Sequence, residues 1–501
     1  MRGKPYRFAR FARGLNTADG PYGLREGYDN DPSGLGSEGR ALLNVVSRHR
    51  GNVSKRNGCI SLFESPTPAS ELFLDLSTIG NDSGSFAVAS TDAGKLYGFD
   101  TTLTRTELKT GLSTTAPWSF LRMPTISGQG PAYGMNGTNT PIQTDGTLAG
   151  TGDWTATTGT LPNGTILEYH ENTLWVAGVT AQPYALYWSN LGDPTDWPVD
   201  NLTEFNPDGG LPLRAVRSFG PYLLVFKERG IWSVYNAETS ANRKFADSAG
   251  TLSPKSVVST PAGCFFLDPQ QGVMVTDGND VKRVAVQIQP LFDQITAPDL
   301  PHVTAAYVNG HYYLSARIGG VYRVLDYDTD LGSWWMHSPP MLALSTWDRG
   351  TDLDLVGVRA DAGAGWHLFK PDELRDDDAV FESYWSAPYH TFGSPHLRKR
   401  VRHVHMDGRG RVDLYMARDY DTTNGAVEGQ SNLSAAAGAG TFGGAGTFGD
   451  PAGTFGGGGQ IGEDIIHSLG IGRAWSPTFY SAYEDYWEMD AYTILADLRN
   501  A

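Results

Sequence analysis

One pattern constrains this chain more than any other. Two short strands flank a turn containing Gly, Asp or Asn, a polar loop follows, and the whole unit recurs. The pairs run Ser85–Phe99, Pro131–Thr144, Thr173–Trp188, Tyr222–Tyr235, Cys264–Val275, His311–Leu325 and Leu353–Phe369. Their first strands centre near Phe86, Ala132, Leu174, Tyr222, Cys264, Tyr312 and Leu353, at spacings of 46, 42, 48, 42, 48 and 41 residues. The clearest unit lies between Leu186 and Asn236, where LYWSNLGDPTDW is followed by GPYLLVFKERGIWSVYN. β-branched and aromatic residues fill its strands, and Gly or Asp-Pro punctuates them. A period of about 40–50 residues, with a few short strands in each, predicts a β-propeller of six or seven blades. One small twisted sheet cannot bury both faces alone, whereas radial stacking buries them in turn. A long array of β-sandwiches is the alternative architecture.

The flanks differ from this repeat. Residues 1–63 read as a basic, Gly-rich arm ending in a first strand, with a possible short helix at Glu38–Ser47. The propeller is expected over 64–370. An acidic break, Lys370–Asp378, precedes a C-terminal β domain, 371–501, expected to be sandwich-like and joined by the arm. Within it Arg398–Tyr415 carries the hairpin turn Gly408-Arg409-Gly410. Its residues 425–462 are of low complexity, with Ala-Gly-Thr-Phe-Gly starting at Ala439, Ala445 and Ala452. The fold class is therefore all-β.

Charge is distributed unevenly. The chain's formal net charge is −16. Met1–Arg56 holds 11 Lys+Arg against 5 Asp+Glu, a net of +6, which leaves −22 for the remainder. The total disfavours tight nucleic-acid binding. Two cysteines, Cys59 and Cys264, exclude a disulfide framework and read as buried thiols. No apolar run long enough to span a membrane occurs, and the N-terminus does not read as a signal peptide. Folding in a reducing cytosol is expected.

Candidate chemistry is sparse. Ser90-Thr91-Asp92-Ala93-Gly94 matches half of the Ser-x-Asp-x-Gly-x-Thr-Trp box of sialidase propellers, but Leu96 and Tyr97 stand where Thr-Trp belongs. A hairpin turn is the simpler reading. Asp326, Asp328 and Asp330 with Gly332 resemble a calcium loop, with the Gly one position late and His337 where a Glu is needed. His403 and His405 alternate and could share a metal, but no third ligand is near in sequence. They read as part of a basic face with Arg398, Arg400 and Arg402. Asp376, Asp377 and Asp378 read as a solvated loop rather than a glycosidic pair. No cofactor, metal or catalytic residue is assigned.

Three passages together carry a resemblance. Gly14–Asp19 with Lys55-Arg56-Asn57-Gly58-Cys59 resembles the "GLNT…KRPG" pattern of tailed-phage virion proteins. Leu186–Trp197 with Leu223–Tyr235 is similar to their "YWS-LGDP-W" and "LLVFKE-IW-V" segments. Arg398–Tyr415 followed by Arg473-Ala474-Trp475 resembles their C-terminal β domain. The family is the tail nozzle (hub) proteins of short-tailed phages. The chain departs from it at Asn57, where Pro is usual, and in the Gly-Thr-Phe repeats.

The resemblance implies a non-catalytic subunit of a homohexameric ring in the virion tail, assembled in the host cytoplasm. The ring would sit below the portal and adaptor and contact tail fibre or tail-tip proteins. Genomic DNA would pass through its lumen without sequence-specific binding. Arg7, Arg10, Arg13, Lys55, Arg56, Arg398, Arg400, Arg402, Phe442, Phe448 and Phe455 are the expected assembly contacts. The alternatives are a receptor- or carbohydrate-binding propeller tail protein, or a propeller glycosidase.

Overall fold

The computed structural model describes residues 4–19, 23–26, 37–48, 51–61, 71–80, 85–102, 104–123, 130–205, 210–236, 241–348, 353–360, 366–370, 373–419, 430–434, 471–484 and 486–499. Two compact units account for them. One comprises 1–60, 330–338 and 370–501; the other comprises 61–329 and 339–369.

The second unit is a seven-bladed β-propeller. Seven four-stranded sheets follow one another along the chain; six are built in sequence order, and the seventh takes the early strand Cys59–Ser61 as its last member. Their inner strands are Ser77–Ile79, Ser119–Arg122, Ile166–His170, Leu213–Phe219, Val258–Thr260, Thr304–Val308 and Met341–Asp348. Each inner strand packs beside the next, and the seventh packs beside the first, so the ring closes. At that seam the Thr78 and Ser345 hydroxyls lie 2.8 Å apart, and the Trp347 indole donates to Ser85 Oγ at 3.0 Å. The strand pairs legible in sequence are the middle two strands of each blade, from Phe86–Ser90 with Leu96–Phe99 to Leu353–Arg359 with Trp366–Phe369.

Burial follows from radial stacking. Both faces of the second strand of a blade meet a neighbouring blade, so Phe86–Ser90, Ala132–Met135, Thr173–Ala177 and Gly263–Asp268 are buried at every position. Such strands read as continuous apolar runs rather than alternating ones. Separate apolar clusters fill successive gaps: Val88 with Trp118, Met135 with Trp154 and Val176, Trp175 with Val225 and Trp232, Phe226 with Cys264 and Phe266. Buried polar side chains join blades where backbone would otherwise lack partners. Asp75 accepts the backbone N–H groups of Ser90, at 2.8 Å, and Trp118.

The first unit is a two-layer β-sandwich. One sheet orders Val45–Val46, Val53–Lys55, Glu488–Arg499, Arg398–Arg409 and Ile471–Gly472, with Lys4–Ala9 also paired to Glu488–Arg499. The other orders Ala41–Leu43, Ser383–Ser386, Trp475–Ser481, Arg411–Arg418 and Gln430–Ser434. Aromatic rings fill the space between them. Tyr492 of the first sheet lies 5.2 Å from Phe479 and 6.3 Å from Trp385 of the second. The basic arm thus adds a strand to the sandwich and buries Phe8 and Phe11 in its core.

The expected helix at Glu38–Ser47 is absent. Strands Ala41–Leu43 and Val45–Val46 occupy the stretch instead, separated by Asn44 at φ 56°. Their ladders run to Tyr384–Ser386 and Ser54–Lys55, long-range pairings that outweigh local helical preference.

Candidate functional site

The N-terminal basic residues divide into two groups. Lys55 and Arg56 are buried within the sandwich unit. Lys55 donates to the Tyr483 carbonyl at 2.8 Å and lies over the Phe381 ring. Arg56 forms a two-point ion pair with Asp376, Nη1 to Oδ1 at 3.0 Å and Nη2 to Oδ2 at 2.5 Å. Its guanidinium also covers Phe381, 3.9 Å from the ring centre. Asp376 accepts the Cys59 N–H at 3.0 Å, so this part of the acidic break is structural.

Asn44 organises the same region, and nothing in the sequence singled it out. Its side-chain oxygen accepts from Arg56 Nε and the Ser338 N–H, both at 2.8 Å. Its side-chain nitrogen donates to the Glu382 carbonyl at 2.7 Å and Ser338 Oγ at 2.8 Å. One left-handed residue thereby ties its own segment to those of Arg56, Ser338 and Glu382.

Arg7 and Arg10 are exposed and Arg13 is half-buried. Arg7 pairs with Asp407 at 3.3 Å. Arg398 and Arg402 are exposed and Arg400 is half-buried, all on the long strand Arg398–Arg409. Strict alternation would put these three arginines opposite His403 and His405. A register shift between Val401 and His403 resets the alternation, so Arg402 is the extra residue of a bulge. Val401, Val404 and Met406 face the core, and Arg400, His403, His405 and Asp407 face outward. The two imidazole rings lie 6.3 Å apart. Phe442, Phe448 and Phe455 lie outside the described residues.

The outward face of this sheet has an ordered composition. Arg400 pairs across the ladder with Ile471 and with Asp497, His403 with Leu495, and Leu495 in turn with Pro5. Ile471 is 43% exposed, Pro5 is exposed and Leu495 is half-buried. Pro5 and Leu495 are therefore adjacent apolar residues on this face, and the strand carrying Arg400 and His403 separates them from Ile471. Asp497 holds Arg402 at 2.5 Å.

The acidic candidates of the propeller have structural partners. Asp92 accepts the Leu72 N–H at 2.8 Å beside a turn closed by Thr91 N–H on the Lys95 carbonyl. Asp326 is buried against His311 at 2.8 Å. Among the described residues no three His, Cys, Asp or Glu side chains are arranged to hold a metal ion. Glu168 lies between the third and fourth blades, 3.4 Å from Arg217, and burial raises its pKa despite that cation. Both cysteines are buried free thiols, and burial pushes the Cys264 thiol up to about 12.

The LGDPTDW stretch is a joint with a displayed tip. The Pro194 carbonyl accepts both the Trp154 and Trp197 indole N–H groups, at 3.0 and 2.9 Å. Asp193 caps its own turn through the Thr195 N–H and hydroxyl, both at 2.8 Å. Gly192, at φ 74°, donates to the Asn172 carbonyl at 2.8 Å. Leu191, beside these bonds, is 69% exposed, and Val199, further along the loop, is 86% exposed. Asp193 and Asp200 are exposed, and Asp196 is half-buried.

No protein-family model matches the chain, and no curated protein matches it. Among solved structures, the Neurospora crassa Pan2 WD40 domain aligns over 64% of this chain and 96% of that chain, at 11% identity and a TM-score of 0.40. No helix among the described residues is long and apolar enough to cross a membrane.

Proposed function

We propose that this chain is a structural virion protein of a short-tailed phage, the subunit of a tail nozzle ring. The reading rests on one observation: the motifs resembling that family occur in order along the chain and carry joints rather than chemistry. Lys55 and Arg56 anchor the sandwich, LGDPTDW ties the connector after the second blade to the third, and Arg398–Tyr415, expected from its glycines to be a hairpin, instead carries the chain from one sheet of the sandwich to the other. The side chains of Lys55, Arg56 and Asp193 bond to backbone or to another side chain, which suits a mechanical part.

In this reading the copies form a homohexamer beneath the portal-adaptor ring and above tail fibre or tail-tip proteins. The lumen carries DNA outward. An acidic chain suits that task, because duplex DNA presents one charge per about 1.7 Å and tight cationic binding would impede sliding. Electron microscopy of the purified protein and of the particle tests this. A closed ring of identical copies at the tail supports it, and a protein absent from the tail refutes it. A panel of glycosides provides the opposing assay. Turnover abolished by Asp92→Ala would replace the structural reading with an enzymatic one.

A further inference from the structure

The second sheet of the sandwich turns a compact set of tyrosines outward. We propose that this face, centred on Tyr415 and Tyr480 with Glu382 at its edge, binds a neutral carbohydrate. The proposal concerns the sandwich unit alone and does not depend on the ring reading.

Register places the residues. Trp385, Phe479 and Leu414 lie opposite one another on three neighbouring strands, and all three are buried in the core. Their neighbours along each strand therefore point the other way. One outward row is Tyr384, Tyr480 and Asp413, and the next is Ser386, Thr478 and Tyr415. Side chains in adjacent rows of a sheet lie within about 8 Å of one another. The Tyr415 and Tyr480 rings meet edge to face, 5.9 Å apart at 87°. Tyr384, Tyr415, Thr478 and Tyr480 are half-buried, so each is fixed by its neighbours and still presents surface.

Polar contacts hold the rings in place. Asp413 is buried, and Tyr483 Oη lies 3.1 and 3.2 Å from its two carboxylate oxygens, so it positions that ring. Thr478 Oγ1 donates to Ser386 Oγ at 2.8 Å. Glu382 is exposed and hydrogen-bonds Tyr480. Burial, followed by the Glu382 charge, raises the Tyr480 pKa, so its hydroxyl keeps its proton at neutral pH.

The chemistry selects the ligand. A pyranose has faces of C–H groups and an edge of hydroxyls. Tyrosine rings pack against the first, and phenol hydroxyls and an exposed carboxylate bond to the second. Neither outward row contains a Lys or Arg, and Glu382 and Asp413 are acidic, which disfavours nucleic acid and anionic polymers. An apolar protein surface laid here would leave the carboxylate and the phenol hydroxyls without partners. A glycan satisfies them, because nearly every ring carbon carries a hydroxyl. Tyrosines also lose little side-chain freedom on binding.

Affinity electrophoresis of the full chain tests this, through gels containing dextran, galactomannan or hydroxyethyl cellulose, with polygalacturonate as the anionic control. Wild type is expected to be retarded by at least one neutral polymer and not by polygalacturonate. Tyr415→Ala and Tyr480→Ala are each expected to weaken binding about tenfold. Thr478→Arg puts a bulky cation between Ser386 and Tyr415 and is expected to abolish it. That variant leaves every tyrosine in place, so it carries the test if an alanine variant fails to fold. Asp92→Ala, in the propeller, is expected to change nothing.

No retardation by any neutral polymer overturns the proposal and leaves the ring reading untouched. Retardation that Tyr415→Ala, Tyr480→Ala and Thr478→Arg all leave unchanged, or that polygalacturonate matches, overturns it as well. Retardation lost in Asp92→Ala moves the glycan site to the propeller. A changed sedimentation coefficient for Tyr480→Ala without polymer assigns the face to contact between copies and likewise overturns it.

Discussion

Asp376→Ala is expected to destabilise the sandwich unit far more than its place in an acidic run suggests. The side chain of Arg56 is 3% exposed and that of Asp376 16% exposed, and two hydrogen bonds join them. Removing the carboxylate strands a buried guanidinium, which keeps only Asn44 Oδ1 at 2.8 Å and the Asn57 carbonyl at 2.6 Å. The Cys59 N–H loses its acceptor as well. Breaking a buried pair from one side costs about 3–5 kcal/mol. For a unit of roughly 200 residues that corresponds to a Tm lower by about 10 °C. The internal control is Asp407→Ala. Its pair with Arg7 is 51% and 45% exposed, so about 0–1 kcal/mol is expected. Replacing both partners, Arg56→Met with Asp376→Leu, should recover most of the loss, because no uncompensated charge remains. Scanning calorimetry of the four proteins is the assay. A shift for Asp376→Ala no larger than that for Asp407→Ala would refute the claim that burial sets the size of the effect.

Three further outcomes are expected. His390 is buried against the Phe8 ring, with Tyr492 Oη 2.5 Å from Nε2 and Glu26 3.4 Å from Nδ1, and burial lowers its pKa although Glu26 opposes the shift. The unfolded state then binds more protons, so its contribution is full above an unfolded pKa of about 6.5 and is lost as pH falls toward the depressed folded value; His390→Phe should flatten the fall in Tm between neutral and mildly acidic buffer. Cys264, with its thiol at about 12 and buried, should resist alkylation at pH 8 until the propeller is unfolded, as counted by mass spectrometry. Gly134→Ala should cost several kcal/mol in chemical denaturation, since a Cβ there would lie 2.0 Å from the Phe120 ring, whereas Gly80→Ala, with open space around it, should change stability by about 0.5 kcal/mol or less.

Much of the architecture was legible in the sequence, because the period of the strand pairs is a local property. Turn residues such as Gly94 and Gly272 mark the hairpins, and β-branched and aromatic runs mark the two middle strands of each blade. Their number limited the propeller to six or seven blades, since each pair must be stacked on another to bury both faces, and the structure has seven. Inner strands such as Ser119–Arg122 and Val258–Thr260 were not legible. They are short and polar and are strands because a neighbour's backbone pairs with them. Ring closure, with Thr78 beside Ser345, joins residues more than 250 positions apart and leaves no local trace.

The sites divide along the same physical line. Composition and spacing alone determined an all-β chain with a basic arm and few candidates for chemistry. Tertiary structure decided what each charged residue does. Lys55 and Arg56 are as basic as Arg7 and Arg10, yet sandwich packing buries the first two and exposes the others. A single bulged residue, Arg402, decided which face His403 and His405 share with the arginines, and alternation read from sequence has no means of locating it. Asn44 became a hub because three other segments, at Arg56, Ser338 and Glu382, converge on its amide. Burial and convergence are properties of the assembled chain, and the period of a sequence carries neither.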